Sequence, residues 1–250
     1  MFGPRGPRLR ELAVQALSSV ERGYDLLAPK FDHTPFRTPE PVLDAVAAAL
    51  ARLGPFGAGL DLCCGTGAGL GVLAKVCRDG VTGVDFSAGM LAVAREHTRA
   101  TRPPVSLVRA DARALPFGRA FDLLVSFGAF GHFLPRELPG LFTQVHSVLR
   151  PGGSFAFPVL APPRPSSPVF WMLLGFDTAM RVRNAVWRPP FVMYYRAFRY
   201  GDVVGELTRA GFDVASHALP ELGHRRDGSP HARLVVARRP RHTADGSVNS

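Results

Sequence analysis

The sequence predicts a doubly wound α/β fold: a mostly parallel seven-stranded sheet with helices on both faces, an antiparallel C-terminal edge pair and a helical cap or insertion. Three observations lead there. Short apolar runs alternate with amphipathic stretches from residue 58 to residue 160, the rhythm of parallel strands joined by crossover helices. The first such run, LDLCC at 60–64, breaks at once into glycines at 65, 67 and 69, as a strand does where it turns sharply into a helix. Two late strand-like runs, FDVASHAL and HARLVVARR, follow one another with no helix between them, which marks an antiparallel pair.

The elements follow in order. Residues 9–22 and 39–53 read as helices, the second opening on TPEP, where proline is tolerated in the first turn. Between them YDLLAPKFDHTPFRT is aromatic, proline-broken and rich in turn formers. LDLCC is a buried strand, GLGVLAKVCRDG a helix ending at Gly80, and VTGVDF a strand. AGMLAVAREHTRA is a helix, VSLVRAD and FDLLVSF are strands, LPGLFTQVHSVLR is a helix stopped by PGG, and SFAFPVL is a strand. The rhythm lapses over 158–200. APPRPSSP is irregular, and VFWMLLGFDTAMRVRNAVW reads as a helix whose large apolar residues form mostly an ordinary core face. Its place outside the αβ rhythm also makes it a candidate cap over a pocket. DVVGELTRAGF then resumes the pattern as a helix. Five segments result: 1–55, helical; 56–160, the core; 161–200, the cap or substrate insertion; 201–238, completing the sheet; and 239–250, a flexible tail.

Composition narrows the function. At 46% hydrophobic and 20% charged residues the chain is globular. No apolar run approaches the roughly 18 residues that span a bilayer, FWMLLGF being the densest. The basic start MFGPRGPRLR leads into ELAVQALSSVERG, an amphipathic helix rather than a signal peptide. Cys63, Cys64 and Cys77 are too few for a disulfide framework and lack the CxxC pairing of zinc or redox sites, so no metal is expected and a reducing cytoplasm is the simplest location. The net charge of +10 is almost all arginine, Lys30 and Lys75 being the only lysines. With abundant Ala, Gly and Pro this looks like a high-GC coding habit. The bases are scattered, dense only at 181–199 and in RRPRH, which argues against nucleic acid as a partner.

The glycines raise the question of a ligand. A GxGxxG fingerprint begun at Gly65 meets Leu70, begun at Gly67 it meets Val72, and Gly69-x-Gly71-x-x-Ala74 fits only deep inside the helix. No GKS or GKT follows, so a P-loop is excluded. The pattern that fits is acid-x-x-x-Gly-x-Gly: Asp61, Gly65, Gly67 and then Gly69. It resembles motif I of the class I S-adenosylmethionine-dependent methyltransferases, in the small-molecule branch of their type 11/25 domains. The resemblance extends over roughly 58–160. VTGVDFSAGMLAVARE is similar to the family's second strand and helix, RADARALPF to its third motif, FDLLVSFGAFGHF to motif IV and VHSVLRPGGSFAF to the following helix, turn and strand.

That resemblance implies a Rossmann-like fold and S-adenosylmethionine as cofactor. Asp85, twenty residues past Gly65, can take both ribose hydroxyls with its two oxygens; the other reading is a helix N-terminal acid, though Ser87 could cap that helix unaided. By resemblance Phe86 borders the adenine, and Asp111, with Ala112 beside it, accepts from the exocyclic amine, the alternative being a plain loop acid. Asp61 and the strand-end backbone at Ser126 and Phe127 lie toward the methionine ammonium. YDLLAPKFD resembles a tyrosine-aspartate segment that many members fold over the cofactor, so that residues 1–55 close over it and Tyr24 reaches its carboxylate; the alternative is a helix end packed on the sheet. One departure stands out: Cys63 occupies the usual glycine position in LDLCCGTG. It reads, like Cys64 and Cys77, as a buried neutral thiol.

Methyl transfer is an in-line displacement that a base assists when the acceptor is a hydroxyl or acidic carbon. His132 is the catalytic candidate, its alternative being a histidine that shapes the pocket; His33 is a weaker one, and His97 and His146 read as surface or packing residues. Motif IV lacks the Asn/Asp-Pro-Pro-Tyr signature of amino-methylating members and offers the apolar SFGAFGHF instead. With the apolar insertion, whose Phe170, Trp171, Trp187, Phe191, Tyr194 and Tyr195 are candidate walls, it suggests a small, partly apolar acceptor. Arg181, Arg183 and Arg188 read as a solvated face, or as partners of an acceptor carboxylate. The leading reading is therefore an O- or C-methyltransferase of a quinone, lipid or secondary metabolite. An RNA or protein methyltransferase and a non-catalytic ligand-binding member stay open. Oligomeric state has no signature in the sequence.

Overall fold

Seven strands form one sheet in the computed structural model, which describes residues 6–34, 36–194 and 198–241. They are β1 (Phe56–Leu62), β2 (Cys77–Asp85), β3 (Val105–Arg109), β4 (Phe121–Val125), β5 (Leu149–Leu160), β6 (Asp213–Ala218) and β7 (Ala232–Arg238). Their order is β3-β2-β1-β4-β5-β7-β6. The first five run parallel, and β7 is antiparallel to both β5 and β6. The chain thus winds outward from β1 to β3, returns to β4 and winds the other way. This leaves a topological switch point between the carboxyl ends of β1 and β4, where Asp61 lies opposite Val125.

Helices α1 (Leu9–Leu17), α2 (Val20–Leu27), α3 (Glu40–Leu53), α4 (Ala68–Val76), α5 (Ala88–Thr98), α6 (Leu138–Val148), α7 (Pro168–Val186) and α8 (Tyr200–Arg209) complete the chain. Two cores form the layers. On one face Leu50 of α3, Leu70 and Leu73 of α4 and Leu91 of α5 are buried; on the other, Phe142 of α6, Phe155 of β5 and Leu207 of α8.

Local pattern misplaced several boundaries, each for a tertiary reason. The predicted helix 9–22 is two helices, because Ser19 accepts the Arg22 N–H at 3.2 Å and starts α2. The helix expected to reach Gly80 ends at Val76: Cys77 is already buried and paired with Phe56 in the sheet. The helix expected to reach Arg150 ends at Val148, since Leu149 pairs with Phe121 and the PGG turn lies inside β5. Strand pairing outweighs helix propensity at all three points.

The insertion departs further. Of α7 only Asp177 and Met180 are buried. Met180 joins Phe191, Met193 and Tyr194 in a third, smaller core that packs on Val20, Tyr24 and Phe36 of the N-terminal segment. The large apolar residues of α7 therefore do not make the ordinary core face expected of them; most of its surface is outside. Arg183, read as solvated, donates to the Ser18 and Pro189 carbonyls. It ties α7 to the α1–α2 junction.

Arg239, expected to open a flexible tail, is bonded into the fold. The Arg239 N–H donates to the Gly153 carbonyl, and its buried guanidinium donates to the carbonyls of His146 at 2.6 Å and Leu149 at 2.9 Å. It thereby caps the C-terminus of α6, where a cation suits the helix dipole. Residues 242–250 lie outside the described residues. Arg239→Ala is expected to lower stability by about 2 kcal/mol, the scale of a lost charged hydrogen-bond pair, read as a lower urea midpoint at unchanged slope. An unchanged midpoint would leave the cap without energetic weight.

Candidate functional site

β1 delivers Asp61 to the switch point. The residue is 1% exposed, and neither carboxylate oxygen has a hydrogen-bond partner among the described residues. Burial pushes its pKa well above the usual carboxylate range, and the nearby Asp85 adds to the shift. The first turn of α4 lies directly against it: a β-carbon on Gly69 would fall 2.5 Å from Asp61 Oδ2 and 2.6 Å from Phe127 Cδ2. Only glycine fits there. Gly65 and Gly67 adopt left-handed φ of 52° and 96°, and nothing lies within 4 Å of where a Gly65 β-carbon would stand. The loop therefore offers bare backbone beside an unpaired buried carboxylate.

Cys63 is the only non-glycine among the described residues with a left-handed φ, 59°, a conformation that costs a side-chain-bearing residue about 1–2 kcal/mol. Burial, then Asp85, Asp61 and Asp111, push its thiol well above the ordinary range. Burial lifts Cys64 likewise and Cys77 to about 12. All three are neutral thiols with no nucleophilic role at neutral pH.

Asp85 ends β2 and is buried. Its Oδ2 accepts the Gly65 N–H and its Oδ1 the Ser87 N–H, both at 2.9 Å. Burial raises its pKa, and these bonds only partly offset the rise. Ser87 caps α5 as expected, accepting the Met90 N–H at 3.1 Å. Phe86 is partly exposed beside it, and its carbonyl accepts from Arg109 Nε, whose guanidinium also pairs with Glu21 of α2.

The N-terminal segment lies over this loop, held by residues that the sequence reading missed. Asp25 Oδ1 accepts from Ser87 Oγ at 2.6 Å and from the Gly89 N–H at 2.9 Å. Asp32 accepts from Thr66 Oγ1 at 2.6 Å. His97, read as a surface or packing residue, reaches the Thr66 carbonyl at 3.1 Å through Nδ1. The available signal was the pair of Tyr-Asp and Phe-Asp dipeptides in YDLLAPKFD, of which only the tyrosine was assigned a contact.

Tyr24 and His132 meet: the hydroxyl lies 2.8 Å from Nε2, with the rings edge-on at 5.1 Å. His132 Nδ1 lies 2.9 Å from the Val192 carbonyl. A carbonyl only accepts, so the proton sits on Nδ1, and Nε2 accepts from the Tyr24 hydroxyl. Burial holds the His132 pKa below its ordinary value, so the ring is neutral at pH 7. Three segments are knotted at this point: the N-terminal helices, the motif IV loop and residues 191–194. His33 is exposed, and His146 packs edge-on against Phe212.

The remaining expected residues are accounted for as follows. Ser126 is buried, its hydroxyl donating to the Leu62 carbonyl and its N–H to Ala156, so it locks the ends of β1, β4 and β5 together. Asp111 is gripped by Arg113, whose Nε and Nη2 reach both its oxygens while Nη1 reaches Glu137. Burial pulls the Asp111 pKa up, but the Arg113 bonds outweigh it and leave the pKa lowered. Ala112 is buried. Of the candidate wall residues, Phe191 and Tyr194 face inward, Trp171 and Trp187 face outward, and Tyr195 lies outside the described residues. Asp61, the glycines, Asp85, Ser126 and Phe127 thus converge on the carboxyl ends of β1, β2 and β4; Tyr24 and His132 form a second group, and Asp111 with Arg113 a third.

Residues 60–153 match the domain family described as "Methyltransferase domain". An uncharacterized methyltransferase of Synechocystis sp. is 35% identical over 161 residues, covering 64% of this chain and 68% of that protein. A demethylmenaquinone methyltransferase of Staphylococcus aureus is 40% identical over 115 residues, covering 44% of this chain and 45% of its own length. Among solved structures, magnesium protoporphyrin IX methyltransferase from Synechocystis with bound SAH superposes with a TM-score of 0.55 at 19% identity, covering 79% of this chain and 81% of that one; this likeness is of fold.

Asp61 makes a prediction independent of any ligand. Its folded pKa lies above the unfolded value, so its ionised form weakens the fold. That penalty is absent below the unfolded pKa of about 3.9 and grows as pH rises toward the folded pKa. Asp61→Asn is expected to raise stability at pH 7 by about 1–3 kcal/mol, read as a higher thermal midpoint, with the two proteins converging as pH falls toward about 4. A lower midpoint in the variant at pH 7 would mean that the carboxylate is satisfied.

Proposed function

The chain belongs to the class I S-adenosylmethionine-dependent methyltransferase family, and we propose that it moves a methyl group to an oxygen or carbon atom of a small, partly apolar acceptor of the quinone, lipid or secondary-metabolite class. The observation that carries the reading is the unpaired Asp61 carboxylate against the bare glycine loop. A buried carboxyl group without a partner, whose ionised form a cation would favour, suits a cationic head group, here the methionine ammonium. Asp85 accepts the Gly65 and Ser87 N–H groups and has lone pairs that the ribose hydroxyls could share. Phe86 and Ala112 would flank the adenine, and the Ser126–Phe127 peptide would lie toward the ammonium. Asp111 would take the exocyclic amine only in competition with Arg113.

When bound, the cofactor supplies a methyl group already activated on a sulfonium. The protein's own work is then placement, exclusion of water and removal of an acceptor proton. The ties of Asp25, Asp32 and Glu21 support residues 1–55 as a segment closing over the 56–160 core. The third core supports 161–200 as a cap, with 201–238 completing the sheet. The Tyr24 hydroxyl donates its single proton to His132. The cofactor's carboxylate, which only accepts, would have to compete with His132 for that proton, whereas an acceptor hydroxyl could donate to the Tyr24 oxygen. In this reading Tyr24 takes the acceptor's proton as its own passes to His132 Nε2. The Staphylococcus relative, by its name, acts on demethylmenaquinone, and the apolar motif IV stretch SFGAFGHF supports an acceptor of similar character.

Calorimetric titration with S-adenosylmethionine and S-adenosylhomocysteine tests the cofactor site. Micromolar binding is expected, weakened at least about tenfold in Asp61→Asn. Affinity should rise with pH up to the pKa of Asp61 in the free protein, because the cation selects the ionised form. Absence of binding to folded wild type would sink the assignment. A methyl-transfer assay with a hydroxylated naphthoquinol then tests the base. Tyr24→Phe and His132→Asn should each lower kcat by about 10²-fold with S-adenosylhomocysteine affinity kept. In wild type the rate should be level at neutral pH and fall as pH drops through the lowered histidine pKa. A kcat unmoved in both variants would leave the pair a structural knot.

A further inference from the structure

The outer face of α7 is apolar where a helix on a water-facing cap would be polar. Trp171 is 62% exposed, Met172 64% and Val186 78%, and Val182 and Trp187 continue the stripe. The indole of Trp187 donates to the Leu17 carbonyl at 3.2 Å, which joins the exposed Leu17 of α1 to the same surface. Scattered apolar residues need no explanation, but eight of the twelve large exposed hydrophobics among the described residues lie on α7, at its end or on α1. From Trp171 to Val186 the exposed positions carry one charge, Arg181, which sits over the Tyr194 ring at 4.9 Å.

Basic charge predominates on the segment that carries this face, with Arg164 paired to Asp227 from outside it and Arg183 turned to backbone carbonyls. Residues 161–200 contain six arginines and a single acid, Asp177, and that acid is buried on the inner side of α7. Tryptophan side chains presented beside arginines, with no exposed acid on the segment, are suited to the interface of an anionic bilayer: indoles settle at headgroup level, and each arginine near the surface adds about 1 kcal/mol. No helix among the described residues is long and apolar enough to cross a membrane, so the mode is docking on the surface. We propose that the outer face of α7, with Trp187 and Leu17, docks this protein onto anionic lipid bilayers. The inference goes beyond the methyl-transfer reading and does not depend on it; if both hold, the cap would sit where a lipid-soluble acceptor is held.

Trp171 and Trp187 are the only tryptophans in the chain, so intrinsic fluorescence reports this face alone. The experiment is sedimentation and tryptophan emission of the full chain with vesicles of phosphatidylglycerol mixed into phosphatidylcholine, and with phosphatidylcholine alone, without cofactor. Binding to the anionic vesicles is expected, with emission moved to shorter wavelength and partition falling as salt rises. Met172→Glu/Val182→Glu changes two exposed positions and should keep the wild-type thermal midpoint while weakening partition at least about tenfold. Three results would overturn the proposal: wild type left in the supernatant with anionic vesicles, binding that the double variant does not change, or a blue shift that tracks protein concentration without lipid. The last would mean that a second copy of the chain covers the face.

Discussion

Everything at the switch point is arranged around one unfavourable group, the unpaired carboxylate of Asp61. A carboxyl group with no partner in a closed interior is among the most costly things a fold can contain, and burial drives this one toward its neutral form. The surroundings keep it so. Gly69 brings helix backbone against it where any side chain would have filled the space, and the Ser126 hydroxyl at the end of β4 donates to the Leu62 carbonyl. The parallel sheet makes this possible. β1 and β4 feed crossovers in opposite directions, so no connection crosses the gap between their carboxyl ends. Two well-packed cores of leucine and phenylalanine on either face of the sheet supply the stability that the site withholds.

Cys63 shows how tightly the loop is specified. Its left-handed φ is the price of keeping the turn after β1 in register with a side chain that glycine would not have brought. The thiol sits among Asp61, Asp85 and Asp111, all of which resist its ionisation. The loop geometry therefore survives a residue that disfavours it, because the Gly65 N–H is held by Asp85 and the Gly67 N–H by the Cys64 carbonyl. Backbone hydrogen bonds to a rigid strand end outweigh a local strain of about 1–2 kcal/mol.

What the sequence disclosed divides along the range of the interactions. Alternating strands and helices, the glycine turn and the Ser87 cap are encoded within a few residues and were legible. Boundaries such as Cys77–Gly80 and Leu149–Gly153 were not, because a strand partner far along the chain decides them. The face of α7 was misread for a related reason: periodicity tells that a stripe is apolar, and cannot tell whether the protein covers it. The contacts of Asp25, Asp32 and His97 bridge 62, 34 and 31 residues, and nothing local marks an aspartate in a turn-rich segment as a helix cap for a distant element. Arg113, two residues from Asp111, was close enough to find; a charge of opposite sign beside a candidate ligand is a signal in its own right.

Those long-range contacts join into a continuous path. Asp25 of the N-terminal segment holds the Ser87 hydroxyl, the Ser87 N–H is held by Asp85, and the other Asp85 oxygen holds the Gly65 N–H. Asp32 holds the Thr66 hydroxyl one residue further on, and His97 reaches the Thr66 carbonyl. The segment that lies over the loop is therefore bonded to the same few groups that shape it. Any ligand that draws on the spare lone pairs of Asp85 or shifts the Gly65–Thr66 backbone changes the bonds holding that segment, and a change in the segment alters the loop in return. The placement of the N-terminal segment and the loop geometry are two readings of one hydrogen-bond chain, anchored at its far end by the Tyr24–His132–Val192 knot that fixes residues 191–194 to the same segment.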